Sequence, residues 1–289
     1  MKRYIGNAML ALVSVLAFIA CKEEAGTNPG GDGIPHVSVY LNDVSAPYDT
    51  DVDRILRLAV NQQTDAVYYL AEKTADKEAR DMSADAYKDY VVSNGTQMQL
   101  TADDFSGGKT GDAIVTGMKG DYTITAVAVS SGGTKTATSV TFWGPNWVDV
   151  TSGTYNFSDR AQQRLGVDKK KSTVLQYLDS DKTKYRFKNL YGVGNHLLLT
   201  LTDKTDADEY DKLQYFRVEP QATPFTYGSY GAISVRDLGY WQDDDSYAFD
   251  PGFGCFMYTE QYKNVVVVAI QYYVSAGSLG YGRDEFDPE

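Results

Sequence analysis

The chain has 289 residues, a formal charge of −12, and 43% hydrophobic against 23% charged side chains. That length suggests about two domains of ordinary globular composition. The negative charge argues against nucleic acid as a partner, because it repels the phosphate backbone, and against direct adhesion to anionic lipid.

Lys2 and Arg3 precede an apolar stretch, residues 9–20. It has the length of a secretory signal and is too short to span a bilayer, which needs about 20 residues. It ends in Ala20-Cys21. A small residue before a cysteine that closes an apolar run resembles the lipobox of bacterial lipoproteins, although Phe18 stands where leucine is usual. The resemblance implies a signal peptide over residues 1–20 and acylation of Cys21. Each buried CH₂ then adds roughly 0.8 kcal/mol of membrane affinity. Losing Lys2 and Arg3 takes the charge from −12 to −14. Cys21-Lys22-Glu23-Glu24 resembles the acidic export signal of Bacteroidetes surface lipoproteins, which implies an outer-membrane location facing the cell exterior. Residues 21–34 read as a flexible, Gly-rich linker with no apolar face to bury.

Residues 35–146 form the first expected domain. Period-two alternation predicts a strand over residues 36–41, and further β-like runs cover 54–60 and 66–71. Two alternating arms, 122–129 and 134–143, flank Ser130-Ser131-Gly132-Gly133, whose glycines suit a tight turn. Between them, residues 83–93 break the β pattern. They predict a short helix capped by Ser83 and closed near Asn94-Gly95. The strand spacing and final hairpin resemble fibronectin type III and related immunoglobulin-like modules.

Residues 147–289 form the second expected domain, with 25 of the 37 aromatic residues. β-like runs at 153–157, 172–178, 184–190, 196–201, 213–218, 231–236, 254–259 and 264–274 predict a jelly-roll-like β-sandwich, with a closed barrel as the alternative. Residues 265–270 are continuously apolar, so they predict a central strand covered on both faces. Four Tyr-Gly pairs recur without a fixed period. The expected fold class is therefore all-β, with two β-sandwich domains. An acylated cysteine, an immunoglobulin-like module and a Tyr-rich β domain together resemble the two-domain lipoproteins of polysaccharide-utilising Bacteroidetes. That resemblance implies a glycan-binding accessory or a surface structural component, and an outer-membrane transporter as a partner.

Glycan binding needs aromatic faces for sugar C–H groups beside carboxylates and amides for the hydroxyls. Trp241, Tyr240, Tyr230, Gln242 and Asp243 supply these types within a short span and are the candidate ligand residues. The plainer reading is that such aromatics pack a β domain. An acidic run of Asp203, Asp206, Asp208, Glu209 and Asp211 has the oxygens calcium wants, as does Asp243-Asp244-Asp245, but neither has EF-hand spacing. Asp237 and Glu260, near predicted strand ends, are the nearest approach to a glycosidase pair. His196 reads as a strand-start residue, and Cys255, in an apolar run, as a small buried hydrophobe. Gly107-Gly108-Lys109-Thr110 lacks the first glycine of a phosphate loop. No catalytic residue, metal or cofactor is predicted. The sequence therefore points to a lipid-anchored, non-catalytic surface protein that binds a polysaccharide. A structural or adhesive protein, matrix or fimbria-like, is the alternative, and a glycoside hydrolase stands third.

Overall fold

The computed structural model describes residues 33–102 and 108–289. Cys21, residues 1–20 and Gly107 lie outside them. The described residues divide into two compact units. One takes in those up to Val44 together with Asp53–Trp143, and the other takes in Ser45–Val52 together with Gly144–Glu289. Strands dominate both, so the chain is all-β in class.

The first unit has two four-stranded antiparallel sheets. One runs in the order β1 (Val37–Asp43), β2 (Arg54–Val60), β6 (Lys109–Val115), β5 (Thr101–Ala102). The other runs β4 (Thr96–Gln97), β3 (Ala66–Lys73), β7 (Gly120–Val129), β8 (Lys135–Gly144). Period-two alternation puts Leu56 and Leu58 of one sheet against Val67, Ile124, Ala126 and Ala128 of the other in a shared core. The sequence-predicted hairpin is β7–β8, with Gly133 at φ +81° in its turn.

β7 is buried on both faces. Its reverse side, at Val127, packs against Tyr87 and Val91. These belong to the helix expected from the sequence, α2 (Ala84–Asn94), which follows a shorter α1 (Thr74–Ala79). Ser83 caps α2 by accepting the Ala86 N–H. Beneath the helices, buried Glu72 accepts from the Tyr87 hydroxyl at 2.6 Å and from Arg80. Burial, and then the bond to Glu72, push the Tyr87 pKa up to about 12.

The second unit closes on itself, which is the barrel alternative rather than the jelly-roll-like sandwich. The ring is β9 (Trp147–Asn156), β10 (Lys170–Leu178), β11 (Asp181–Phe187), β12 (Leu197–Ala207), β13 (Lys212–Arg217), β16 (Cys255–Tyr258), β17 (Val266–Val274) and β18 (Gly277–Pro288). β18 shuts it by pairing with both β17 and β9, with Phe286 opposite Tyr155. A hairpin of β14 (Gln221–Thr226) and β15 (Ala232–Asp237) branches off, because β17 pairs with β16 at Val266 and Val267 and with β15 at Ile270–Tyr273. The closing strand carries Gly277, Gly280 and Gly282 and so hides its β character. Its partner strand needs a glycine too: a Cβ on Gly153 would sit 2.2 Å from the Asp287 carbonyl oxygen and 2.6 Å from the Phe286 ring.

Eight strands enclose a space that side chains can fill. Here aromatics fill it: Phe187 lies 5.0 Å, centroid to centroid, from both Tyr155 and Phe286. α3 (Asp159–Leu165) adds Ala161 and Leu165 to the same core. Its polar centre is Asp284, which accepts from the Ser158 N–H at 2.8 Å and from the Tyr155 and Tyr272 hydroxyls at 3.0 and 3.2 Å. Burial raises the Asp284 pKa, and these donors pull it back. Lys170, Lys171, Asp181 and Lys182, at the starts of β10 and β11, are exposed. No described helix is long and apolar enough to cross a membrane.

Ser45–Val52 is held to the barrel through Asp51, which pairs with the buried guanidinium of Arg186. Arg186 also donates to Gln176 at 2.7 Å, and its guanidinium lies 4.3 Å over the Trp147 ring. His196, just before β12, stands 3.7 Å from the same carboxylate, and its Nδ1 accepts the Asn189 N–H. That places the neutral ring's proton on Nε2. Burial, then the Arg186 charge, depress its pKa to about 4. Cys255 is fully buried, its thiol donating to the Ala269 carbonyl at 3.3 Å, and burial pushes its pKa up. It is a core residue.

Candidate functional site

β15 ends at Asp237, which is completely buried. Its carboxylate starts a single-turn helix, α4 (Leu238–Gln242), by accepting the Tyr240 N–H at 2.9 Å. It also accepts the Val218 N–H at 2.9 Å and the Arg217 Nε at 2.8 Å. The remaining Arg217 Nη1 donates to Asp245 at 2.7 Å. Burial works against the Arg217 charge, but Asp237 and Asp245 outweigh it and hold its pKa above the ordinary value. The guanidinium, clamped from two sides, supports the Tyr240 ring at 4.3 Å, within the range of a cation–π contact. Tyr240 is therefore a tyrosine with a fixed underside and 39% of its surface open.

The chain turns tightly here. A Cβ on Gly239 would lie 2.8 Å from the Ala248 Cβ and 3.1 Å from Arg217 Nη2. Asp243 takes the left-handed conformation, φ +54°, that ends α4. The result is an open cleft of about 610 Å³ lined by Arg217, Gly239, Tyr240, Asp243, Asp244 and Asp245. Ser246 N–H donates to Asp244 and lowers its carboxyl pKa. With Arg217 balanced by Asp237, three carboxylates make the cleft negative.

Of the sequence-predicted ligand residues, Tyr240 and Asp243 line this cleft. Trp241, on the same helical turn, is half-buried and pairs instead with the Tyr281 ring at 6.2 Å. Gln242 is exposed. Tyr230 is not part of the group. It stacks on Tyr227 at 6.1 Å beyond the opposite end of β15, about 20 Å away at ~3.3 Å per residue. Sequence reasoning missed Arg217 and Tyr281. Arg217 closes the largely apolar run Leu213–Phe216 of β13, and an arginine ending such a run, with aspartates nearby in the sequence, was the available signal.

Several of the other candidates are engaged in holding the fold. Asp208 accepts the N–H groups of Tyr210 and Asp211 and the Tyr258 hydroxyl. Asp211 accepts the N–H groups of Lys212, Glu260 and Tyr262. These carboxylates cap a turn, and among the described residues no group of three or more His, Cys, Asp or Glu is placed to hold a metal. Asp237 bonds Arg217 and Glu260 bonds Lys212, at opposite ends of β13, so the two carboxyls do not face one bond. Lys109 and Thr110 open β6.

No protein-family model, curated protein or solved structure matches this chain.

Proposed function

We propose that this is a lipid-anchored, outward-facing outer-membrane protein that binds a polysaccharide without cleaving it, its barrel cleft taking a neutral, hydroxyl-rich chain. The observation that carries this reading is Tyr240: an open aromatic face, braced from below by Arg217 and flanked by Asp243–Asp245 carboxylates that accept from hydroxyls. A braced ring loses little conformational freedom on binding. The filled barrel interior supports a surface site rather than an enclosed one. In the first unit, two four-stranded sheets around one core, in the orders given above, support the immunoglobulin or fibronectin type III-like sandwich. The residues around Cys21 support the anchor and the Bacteroidetes surface-lipoprotein origin, and the two-domain resemblance to polysaccharide-utilisation lipoproteins supports an outer-membrane transporter as partner.

Affinity electrophoresis through gels of neutral plant and host polysaccharides tests the reading. Retarded migration with at least one, weakened about tenfold by Tyr240→Ala as for a truncated aromatic anchor, supports it. Migration unchanged by every polysaccharide sinks it and leaves the structural or adhesive alternative. Trp241→Ala is expected to weaken binding less, because its ring is engaged with Tyr281.

A further inference from the structure

On the outer face of β8, Ala137, Ser139, Thr141 and Trp143 follow one another at alternate positions. α1 and α2 pack over β3 and β7 and leave this strip open. Two clefts lie along it. One, of about 470 Å³, is bordered by Ala137 and Ser139, and the other, of about 570 Å³, by Thr141 and Trp143. α1 walls both, with Lys77 on the first and Thr74 and Glu78 on the second. The strip from Ala137 to Trp143 runs about 20 Å at ~3.3 Å per residue. At its end Trp143 is 51% exposed.

The charge of this groove opposes that of the chain. Lys73 and Lys119 stand in the Trp143 cleft beside its two carboxylates, Glu78 and Asp121, and Lys77 and Lys88 stand in the other, which no carboxylate lines, so along the whole groove four lysines face two lining carboxylates. Lys88 is paired with Asp85 at 2.7 Å. Lys77 lies 4.9 Å over the Tyr87 ring. Lys73, Lys77 and Lys119 make no ion pair among the described residues. In a protein of charge −12, three unpaired ammonium groups along one groove are a local attraction for anions.

The geometry points to a second binding site here, a groove for an extended anionic polysaccharide. The Trp143 ring offers a face for sugar C–H groups, Ser139 and Thr141 offer hydroxyls, and the lysines meet carboxylate or sulfate groups. A concave strip also keeps a flat lipid surface away from its floor. This site is independent of the Tyr240 cleft, whose negative charge repels such a chain.

The test is affinity electrophoresis of the full-length chain through sodium polygalacturonate, heparin and chondroitin sulfate, with fully methyl-esterified polygalacturonate as the neutral control. At least one anionic chain is expected to retard the protein, and in Tyr240→Ala, which lacks the aromatic face of the barrel cleft, the ester is not. Retardation should fade between 0.1 and 1 M NaCl, as the screening length drops from about 10 to about 3 Å. Lys73→Gln combined with Lys119→Gln should weaken binding about fivefold, and Trp143→Ala about tenfold. All three residues are exposed, so unchanged melting of the variants checks that the fold is kept. Tyr240→Ala should leave this binding unchanged, which separates the groove from the barrel cleft. No retention by any anionic chain overturns the proposal. So does equal retention of Tyr240→Ala by the ester or by poly-glutamate, or loss of binding in Tyr240→Ala while Trp143→Ala has no effect.

Discussion

The first unit buries its two sheets against each other and against α2, and it leaves sheet edges such as β8 open. The second unit instead joins its first and last strands, so that β9 and β18 have no free edge. Closure removes the pairing liability of an edge, but it concentrates the register requirement in one seam. The open architecture spreads its stability over separate layers and leaves a groove beside its edge strand. Surface charge divides the same way: the barrel cleft is lined by three aspartates around one arginine, whereas along β8 four lysines face two carboxylates.

Changes at the barrel seam and its buried network should therefore cost more than changes in the layered unit. The largest expected effect is Gly153→Val. A side chain there has no room between Asp287 and Phe286, and destabilisation of about 5 kcal/mol or more is expected. Hydrogen exchange would show it as lost protection along β9 and β18. Exchange unchanged in these strands would mean that the seam is not the weak point. Arg186→Ala comes next. It strands the Asp51 carboxylate and Gln176 without their buried donor and should cost about 3–4 kcal/mol in urea unfolding.

The pH response follows from His196. Its folded pKa, about 4, lies below the ordinary histidine value of 6.5. The unfolded chain therefore takes up the proton first as pH falls. The stability due to the neutral ring is complete above pH 6.5 and lost towards pH 4, up to about 3 kcal/mol. Comparing denaturation midpoints at pH 7 and pH 4.5 for the parent and His196→Gln measures this contribution. The variant should show a flatter loss, and parallel slopes would remove His196 from the account. The smallest effect is expected in the layered unit: Ser83→Ala removes one N-cap bond, for about 1 kcal/mol, read as a small drop in melting temperature.

Much of the strand content was legible because period-two alternation reports directly which face is buried. β2 spans Arg54–Val60 as the alternation predicts, and α2 starts at its Ser83 cap. The run 265–270 reads as a strand covered on both faces, and Val266 to Ile270 are all buried. β14 and β18 were not legible. β14 carries Pro224, and β18 carries three glycines whose need comes from neighbours distant in sequence: at Gly282 a Cβ would lie 2.2 Å from the Ser158 hydroxyl. Tyr240 and Asp243 could be nominated from local composition, but the arginine beneath Tyr240 could not. It comes from another strand.

The sequence by itself determined the all-β character, the main strand positions and the capped helix, since each depends on side chains within a few residues of one another. The tertiary structure alone decided that the second unit closes into a ring, that Ser45–Val52 belongs with it, and that Tyr240 rests on Arg217 while Tyr230 lies elsewhere. Those outcomes depend on contacts between residues up to about a hundred or more positions apart, whose pairing energy leaves no periodic mark in the chain.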